Sequence, residues 1–200
     1  MSGLVQRLLV PGLFGAEIWD VGQDVALHPL ENAHVAHSAE KRRRDFALGR
    51  ACVHAALAEL GHGEAVVAKG GDGAPVWPPG VLGSITHTEG YAAALVGANF
   101  AGIGIDAERA GGVTGDLWGR IFSSAEQRQL AAHPDPLLAA TLLFSAKEAS
   151  YKAWRVKGTL AFREIEIALE DGGFTASRAG ARLSGRYAVD QGVVLVAAWF

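Results

Sequence analysis

Apolar residues recur at helical spacing in the segment that follows Ser38. Phe46, Val53 and Leu57 lie one or two helical turns apart, which places them on one side of a helix. Ser38 is a suitable N-cap, and Gly61 is of the residue type that commonly ends a helix. The pattern therefore predicts a helix that follows Ser38 and ends before Gly61.

A second helical pattern begins at Asp135 and Pro136, which suit the N-cap and the first helical position. It continues to about Gly158. Residues 137–154 are apolar nearly all round, so this helix is predicted to be largely buried.

Short apolar runs separated by turn residues predict strands between and after the two helices. Turns are expected at 70–73, at 89–90 and at Asn99, whereas the chain before Val35 has no clear pattern. Helices and strands in this order predict an α+β fold. The predicted strands are 65–69, 81–87, 91–96, 102–107, 164–169, 182–189 and 193–200.

Composition narrows the class of protein. The formal net charge of -3 over 200 residues argues against a general nucleic-acid binder. The single cysteine, Cys52, excludes a disulfide within the chain and a thiolate metal cluster, and it favours a reducing compartment. The first residues form too short an apolar run for a signal peptide, and no stretch reaches about 18 apolar residues. We expect a cytoplasmic protein with no membrane partner.

Two acids lie two positions apart on the predicted strand 102–107 and just after it. Because strand side chains alternate, Asp106 and Glu108 share a face, about 7 Å apart at Cα. The two carboxylates repel unless a cation lies between them, and a hard ion such as Mg²⁺ suits such ligands. Gly104, on the same face, would let a ligand approach the backbone. The alternative is a pair of ordinary surface acids at a strand end.

The second helix has only three charged residues between 137 and 154. Lys147, Glu148 and Lys152 fall within about 140° around the helix axis. Glu148 also continues an apolar row that includes Thr141 and Phe144, so its charge is expected to be paired or metal-bound. The alternative is a Glu148–Lys152 surface pair.

Basic residues and a histidine provide candidate phosphate contacts. Arg42 and Arg50 lie about 80° apart around the first helix and about 12 Å apart along it, which would suit two separated phosphates. His87 follows hydroxyl residues in Gly83-Ser-Ile-Thr-His87. A solvated basic helix face and a packed histidine are the alternatives. The loop Lys69-Gly-Gly-Asp-Gly-Ala-Pro75 is better explained as a hairpin turn than as a phosphate loop.

Five short motifs follow one another along the chain: Arg42-Arg-Arg-Asp-Phe-Ala-Leu-Gly-Arg50, Gly70-x-x-Gly-x-Pro75, Gly83-Ser-Ile-Thr-His87, Gly104-Ile-Asp-Ala-Glu108 and Phe144-Ser-Ala-Lys-Glu-Ala-Ser-Tyr-Lys152. Together they resemble the large, monomeric 4'-phosphopantetheinyl transferases of siderophore, nonribosomal peptide and polyketide synthesis. The likeness is greatest to the enterobactin-type subgroup and its actinobacterial relatives, and it spans about 39–154. The last two motifs together are highly specific to the family.

The resemblance implies a fold and an activity. The fold would be a pseudo-twofold unit of two similar α+β halves, of about 1–100 and 101–200, acting as a monomer. The enzyme would transfer 4'-phosphopantetheine from coenzyme A to a serine of an apo acyl or peptidyl carrier protein, with Mg²⁺. The products would be holo-carrier protein and adenosine 3',5'-bisphosphate. Two other functions stay open: a metal-dependent coenzyme A pyrophosphatase and a coenzyme-A-binding module without turnover.

The resemblance also assigns roles to single residues. The Mg²⁺ ligands would be Asp106, Glu108 and Glu148, and Glu148 would also be the general base. Lys147 and Lys152 would stabilise charge at the reacting phosphates as catalytic residues. Coenzyme A would be bound by Arg42, Arg50, Lys69, Thr86, His87, Lys147 and Lys152.

Overall fold

The computed structural model describes residues 3–154 and 162–200. The chain divides into two compact units, Met1–Phe100 and Ala101–Phe200. Each unit contains an antiparallel sheet and one long helix packed against it. The predicted α+β class is therefore confirmed, and the two units are similar in architecture.

The first unit has a three-stranded sheet in the order β1-β3-β2. A single turn of 3-10 helix, Val5–Arg7, precedes the first strand. The helices and strands are β1 (Leu13–Trp19), α1 (Pro29–Asn32), α2 (Glu40–Glu59), β2 (Leu82–Thr88) and β3 (Tyr91–Gly97).

The core of the first unit lies between helix α2 and the central strand β3. Cys52, Val53 and Leu57 of the helix are fully buried in one cluster with Ala92 and Ala94 of the strand. Small side chains on β3 let the helix approach the sheet closely. This packing fixes which side of α2 is free to meet a ligand.

Two local predictions in this unit were wrong. The N-cap of α2 is Ala39 rather than Ser38, and it makes no side-chain cap. No strand forms over 65–69; only an isolated bridge joins Lys69 to Pro75. The reason is a long-range contact, because the Val67 N–H donates to the Glu31 carboxylate instead of to a neighbouring strand. The turn after Lys69, and the two following strands, agree with prediction.

The second unit has a five-stranded sheet in the order β4-β8-β7-β6-β5. A short 3-10 helix, Phe162–Glu164, precedes β5. The helices and strands are β4 (Ile103–Arg109), α3 (Gly115–Ile121), α4 (Ser124–Ala132), α5 (Pro136–Trp154), β5 (Glu166–Glu170), β6 (Gly173–Arg178), β7 (Ala181–Asp190) and β8 (Val193–Trp199).

Helix α5 packs directly across strand β4, and glycine makes the close approach possible. A Cβ at Gly104 would lie 1.8 Å from the Ala149 carbonyl oxygen, and one at Gly102 would lie 2.2 Å from that of Ala153. The prediction that Gly104 admits a ligand was therefore wrong, because the helix backbone occupies that space. The consequence is that side chains of α5 reach the Asp106 face of β4.

Helix α5 is largely buried, as predicted, and its first residue is Pro136. The predicted end near Gly158 lies outside the described residues. Pattern analysis did not find strands β1 and β6 or helices α3 and α4. No helix in residues 3–154 or 162–200 is long and apolar enough to cross a membrane.

Candidate active site

Asp106 lies at the contact between strand β4 and helix α5. It is only 5% exposed, and both of its carboxylate oxygens accept hydrogen bonds from the helix. Lys152 Nζ donates to Oδ1 at 2.8 Å, and Ser145 Oγ donates to Oδ2 at 2.8 Å. Lys152 also donates to the Ile105 carbonyl at 2.9 Å. The ion pair that this lysine forms is thus with Asp106, not the surface pair with Glu148 that was the alternative interpretation.

Glu108 and Glu148 are half-buried acids, and the charge of Asp106 affects the pKa of both. Burial, and then the charges of Asp106 and Glu148, raise the pKa of Glu108 to about 7, against the opposing effect of Lys152. Burial and the Asp106 charge likewise raise the pKa of Glu148. We call Asp106, Glu108 and Glu148 the acidic cluster. Strand β4 and helix α5 bring these three predicted ligands close enough for their charges to interact.

The acidic cluster offers oxygen ligands that suit a metal ion, but they are not arranged as a complete metal site. No three His, Cys, Asp or Glu side chains among the described residues converge as a ready metal site. Both Asp106 oxygens are engaged by Lys152 and Ser145. The chemistry of the donor set nevertheless fits Mg²⁺, because its members are hard oxygen ligands whose charges oppose each other and would be relieved by a cation.

Lys147 lies away from the acidic cluster, and the structure argues against its predicted place at the phosphates. Its side chain is completely buried, and Nζ lies 3.0 Å from Glu126 Oε2. Nζ also donates to the carbonyls of Phe162 at 2.9 Å and Ile165 at 2.5 Å. Three acceptors use all three ammonium donors. Burial lowers the pKa of Lys147, and the Glu126 charge opposes that shift. We therefore assign Lys147 a structural role.

Glu126 was not found by sequence reasoning, although a signal for it exists. Ser123 and Glu126 form a capping box at the start of helix α4, the pattern Ser-x-x-Glu. The same carboxylate pairs with Lys147 and lies 3.4 Å from the Ile167 N–H that donates to it. The capping box was readable from the sequence, but the buried ion pair was not.

A cavity of about 220 Å³ in the first unit collects the predicted phosphate contacts. It lies against helix α2, strand β2 and the loop after Lys69. Arg42, Arg50, Lys69 and His87 all line it, together with Phe46. We call this cavity the cation pocket. Thr86 does not line it; as a neighbour of His87 on a strand it lies on the opposite face of β2, where it is buried.

A larger cavity in the same unit, of about 430 Å³, contains none of the predicted residues. It is lined by residues 24–27 and by Arg43 and Arg44 of helix α2. Arg44 is paired with Asp20, and Arg43 donates to the Ser38 carbonyl. The size of a cavity therefore does not show which one holds the predicted phosphate contacts, whereas its lining residues do.

Arg50 differs from the other cations of the pocket because it is buried. It is 4% exposed, and its guanidinium carbon lies 4.5 Å from the centroid of the Phe46 ring. Its Nε is 3.8 Å from Glu31 Oε1. Glu31 is fully buried and was not found by sequence reasoning. Nothing in its short segment signals burial, since a lone glutamate near a proline is ordinarily a surface residue.

Comparison with known proteins identifies the family. The family model for the 4'-phosphopantetheinyl transferase N-terminal domain matches residues 30–97. The model for the 4'-phosphopantetheinyl transferase superfamily matches residues 102–194. The 4'-phosphopantetheinyl transferase Npt of Nocardia iowensis is 41% identical over 171 residues, 84% of this chain and 77% of the relative. This chain belongs to the 4'-phosphopantetheinyl transferase family.

Two further relatives support the same family. The 4'-phosphopantetheinyl transferase PptT of Mycobacterium tuberculosis is 34% identical over 203 residues, covering 91% of this chain and 89% of the relative. Enterobactin synthase component D of Escherichia coli K12 is 35% identical over 136 residues, covering 68% of this chain and 66% of the relative. The predicted phosphopantetheinyl transferase, which uses coenzyme A as its substrate, is thereby confirmed over the two alternative functions.

Proposed function

We propose that this enzyme moves the phosphopantetheine arm of coenzyme A to a serine of an apo acyl or peptidyl carrier protein in a Mg²⁺-dependent reaction. The observation that carries the proposal is the acidic cluster, in which Asp106, Glu108 and Glu148 oppose one another beside Lys152. A set of coupled carboxylates in a transferase of this family is a reasonable binding site for a divalent cation.

Asp106, Glu108 and Glu148 would hold the metal ion. When bound, Mg²⁺ would supply Lewis-acid polarisation of pyrophosphate oxygens and neutralise charge on the leaving 5'-phosphate of adenosine 3',5'-bisphosphate. The cluster would accept such an ion at low electrostatic cost, since the charges of neighbouring acids already disfavour the ionised forms of Glu108 and Glu148. Asp106 would have to exchange at least part of its contact with Lys152 for the metal.

The cation pocket is proposed to bind the nucleotide end of coenzyme A. Arg42, Arg50 and Lys69 provide positive charge, and His87 provides a further donor in the same cavity. Guanidinium groups suit phosphate oxygens because they donate in a planar fork. Thr86 stays a predicted contact that this cavity does not include.

Glu148 is proposed to accept the proton of the carrier-protein serine, directly or through a water molecule. The serine oxygen then forms a bond to the phosphorus nearest the pantetheine. The bond from that phosphorus to the bridging oxygen breaks, and adenosine 3',5'-bisphosphate leaves with the electron pair. Lys152, whose side chain is 31% exposed, would stabilise the charge that develops on the leaving group.

The test is intact mass spectrometry of a panel of apo-carrier proteins after incubation with enzyme, coenzyme A and Mg²⁺. We expect a mass increase of one phosphopantetheine on at least one carrier, and none after its acceptor serine is replaced by alanine. A parallel reaction without carrier protein should leave coenzyme A intact. Cleavage of coenzyme A without carrier, and no modified carrier in the panel, would contradict the proposal and favour a pyrophosphatase.

The relatives extend the proposal to the kind of partner. A likeness to enterobactin synthase component D suggests carriers of siderophore, peptide or polyketide assembly. We further propose that a single chain is the active unit, which light scattering at assay concentrations would check. An obligate dimer would contradict it. The cytoplasmic location stays a prediction from the sequence.

A further inference from the structure

Glu31 is a fully buried carboxylate that the proposed transfer does not use. It lies on the four-residue helix α1 and is 0% exposed. His54 Nε2 lies 3.0 Å from Oε1 and 2.9 Å from Oε2, and the Val67 N–H donates to Oε1 at 3.0 Å. A buried carboxylate is costly unless it is paired, so this site is built around a negative charge.

The nearest guanidinium to this carboxylate is that of Arg50. Its Nε lies 3.8 Å from Glu31 Oε1, within an ion pair but beyond a hydrogen bond. In the described part of the chain, this Nε is a buried donor with no hydrogen-bond partner. Burial lowers the pKa of Arg50, and the Glu31 charge opposes that shift. Arg50 is thus a buried cation whose counter-charge is Glu31 and whose side chain lines the cation pocket.

Glu31 also contacts the backbone that leads to the second cation of the pocket. Val67, which donates to Glu31, is two residues before Lys69. The Lys69 backbone is in turn bridged to Pro75, and its N–H donates to His34 Nε2 at 3.2 Å. One carboxylate therefore connects helix α1, helix α2 and the segment that carries Lys69.

We propose that Glu31 is a positioning residue for coenzyme A: its carboxylate holds the Arg50 guanidinium, and the backbone before Lys69, in the wall of the cation pocket. The inference rests on the proposed function, since it assumes that this pocket binds phosphate groups. Glu31 does not touch the ligand. Replacing Glu31 by glutamine keeps an oxygen that can accept from the Val67 N–H, so the effect of this change on coenzyme A binding should be exerted through Arg50 and should require Arg50 to be present.

Two electrostatic effects of removing Glu31 oppose each other. Loss of a negative charge near the pocket would by itself favour an anionic ligand. However, Arg50 is only 4% exposed, and a buried guanidinium that loses its counter-charge is strongly disfavoured. Arg50 would therefore turn toward solvent and withdraw its oriented donors from the pocket. We expect this loss of preorganisation to exceed the Coulombic gain, so coenzyme A should bind more weakly.

The experiment is a double-mutant cycle on the dissociation constant of coenzyme A, measured by calorimetry with the full chain. Glu31→Gln keeps the size of the side chain and an oxygen for the Val67 N–H. We expect it to raise the Kd about tenfold in the wild-type background. In the Arg50→Met background the same change should alter the Kd less than about twofold. Arg50→Gln, which also lacks the positive charge, replaces Arg50→Met if the latter does not fold.

A matched control separates positioning from general loss of stability. Glu17 is another acid of the first unit, which accepts the Leu4 and Val5 N–H groups and the Tyr91 hydroxyl without lining the pocket. Glu17→Gln should lower the thermal midpoint but leave the Kd unchanged. An equal cost of Glu31→Gln in both backgrounds, or an unchanged or lower Kd, would overturn the proposal. Failure of wild type to bind coenzyme A would instead overturn the proposed function.

Discussion

Each unit brings side chains of like charge close together: basic residues in the first unit and acidic residues in the second. The two units differ in how far nearby groups of opposite charge neutralise them. In the first unit, the buried Arg50 lies beside the Glu31 carboxylate and over the Phe46 ring, so its charge is compensated within the protein. In the second unit, burial and the neighbouring acids raise the pKa of Glu108 to about 7. Lys152 compensates the acidic cluster only in part. A cation that already has a counter-charge in the protein can stay buried in a pocket before an anion binds. Acids whose negative charges are only partly neutralised suit a site that binds a cation.

Two lysines on helix α5 also differ in how completely they are buried and paired. Lys147 is completely buried against Glu126 and two carbonyls, whereas Lys152 is 31% exposed and contacts Asp106. Five positions apart on a helix, they lie about 140° apart around its axis. One sequence motif therefore combines a lysine that is buried in the fold with a partly exposed lysine that is proposed to act in the reaction.

The largest effect on transfer should follow from loss of a metal ligand. Asp106→Ala is expected to lower the rate of holo-carrier formation by at least about 10³-fold, because the proposed ion would supply several kcal/mol of charge stabilisation. Circular dichroism should show a retained fold. Asp171→Ala, at an exposed turn of the same unit, is the matched control and should leave the rate unchanged. Near-normal activity of Asp106→Ala in Mg²⁺ would remove Asp106 from the metal site.

Glu148→Gln separates the two roles given to this residue. The amide keeps a ligand oxygen but cannot accept the serine proton, and loss of a general base costs about 10²–10⁴-fold. We expect a deficit of at least about 10²-fold that persists at saturating Mg²⁺ and coenzyme A, measured as the transfer rate constant. Full rescue by added Mg²⁺ would leave Glu148 as a ligand only.

The cation pocket should affect binding more than chemistry. Four single alanine substitutions should each weaken coenzyme A binding about tenfold or more, since a hydrogen bond to a charged group is worth about 1.5–3 kcal/mol. The substituted residues are Arg42, Arg50, Lys69 and His87. Carrier-protein binding should change less. Arg43→Ala is the matched control, because Arg43 lies on the same helix but outside this pocket.

Calorimetry with dephospho-coenzyme A identifies the phosphate involved. Removal of the 3'-phosphate should abolish much of the difference between wild type and at least one of these variants. If all four variants keep the same difference with both ligands, the pocket does not bind that end of coenzyme A.

The smallest effect on transfer is expected at Lys147. Lys147→Met leaves Glu126 buried without its partner and should lower the free energy of unfolding by about 3–5 kcal/mol. The rate constant of the folded fraction should change only a few-fold, whereas Lys152→Met should slow transfer strongly. Denaturant unfolding and single-turnover rates measure the two quantities. If the Lys147→Met enzyme has normal stability but transfers slowly, the prediction from the sequence that Lys147 acts at the reacting phosphates would be supported instead.

Sequence patterns predicted most elements that are long or strongly periodic. Helix α2, the start of helix α5, and strands β2, β3 and β4 lie within a few residues of their predicted positions. The strand predicted at 65–69 failed because local apolar character cannot show where a backbone N–H finds its acceptor. Here the acceptor for Val67 is a side chain 36 residues away.

What the sequence by itself determined is the chemistry available: acids two apart on a strand, a charged patch on an apolar helix, and motifs sufficient for the family. Only the tertiary structure determined which charged side chains pair with one another. Glycine at 104 seats helix α5 on β4, so Lys152 meets Asp106 while Lys147 is buried against Glu126. Glu31 likewise became the partner of Arg50. The physical reason is that the cost of burying a charge depends on its partner, and a partner is chosen by packing between segments distant in the sequence.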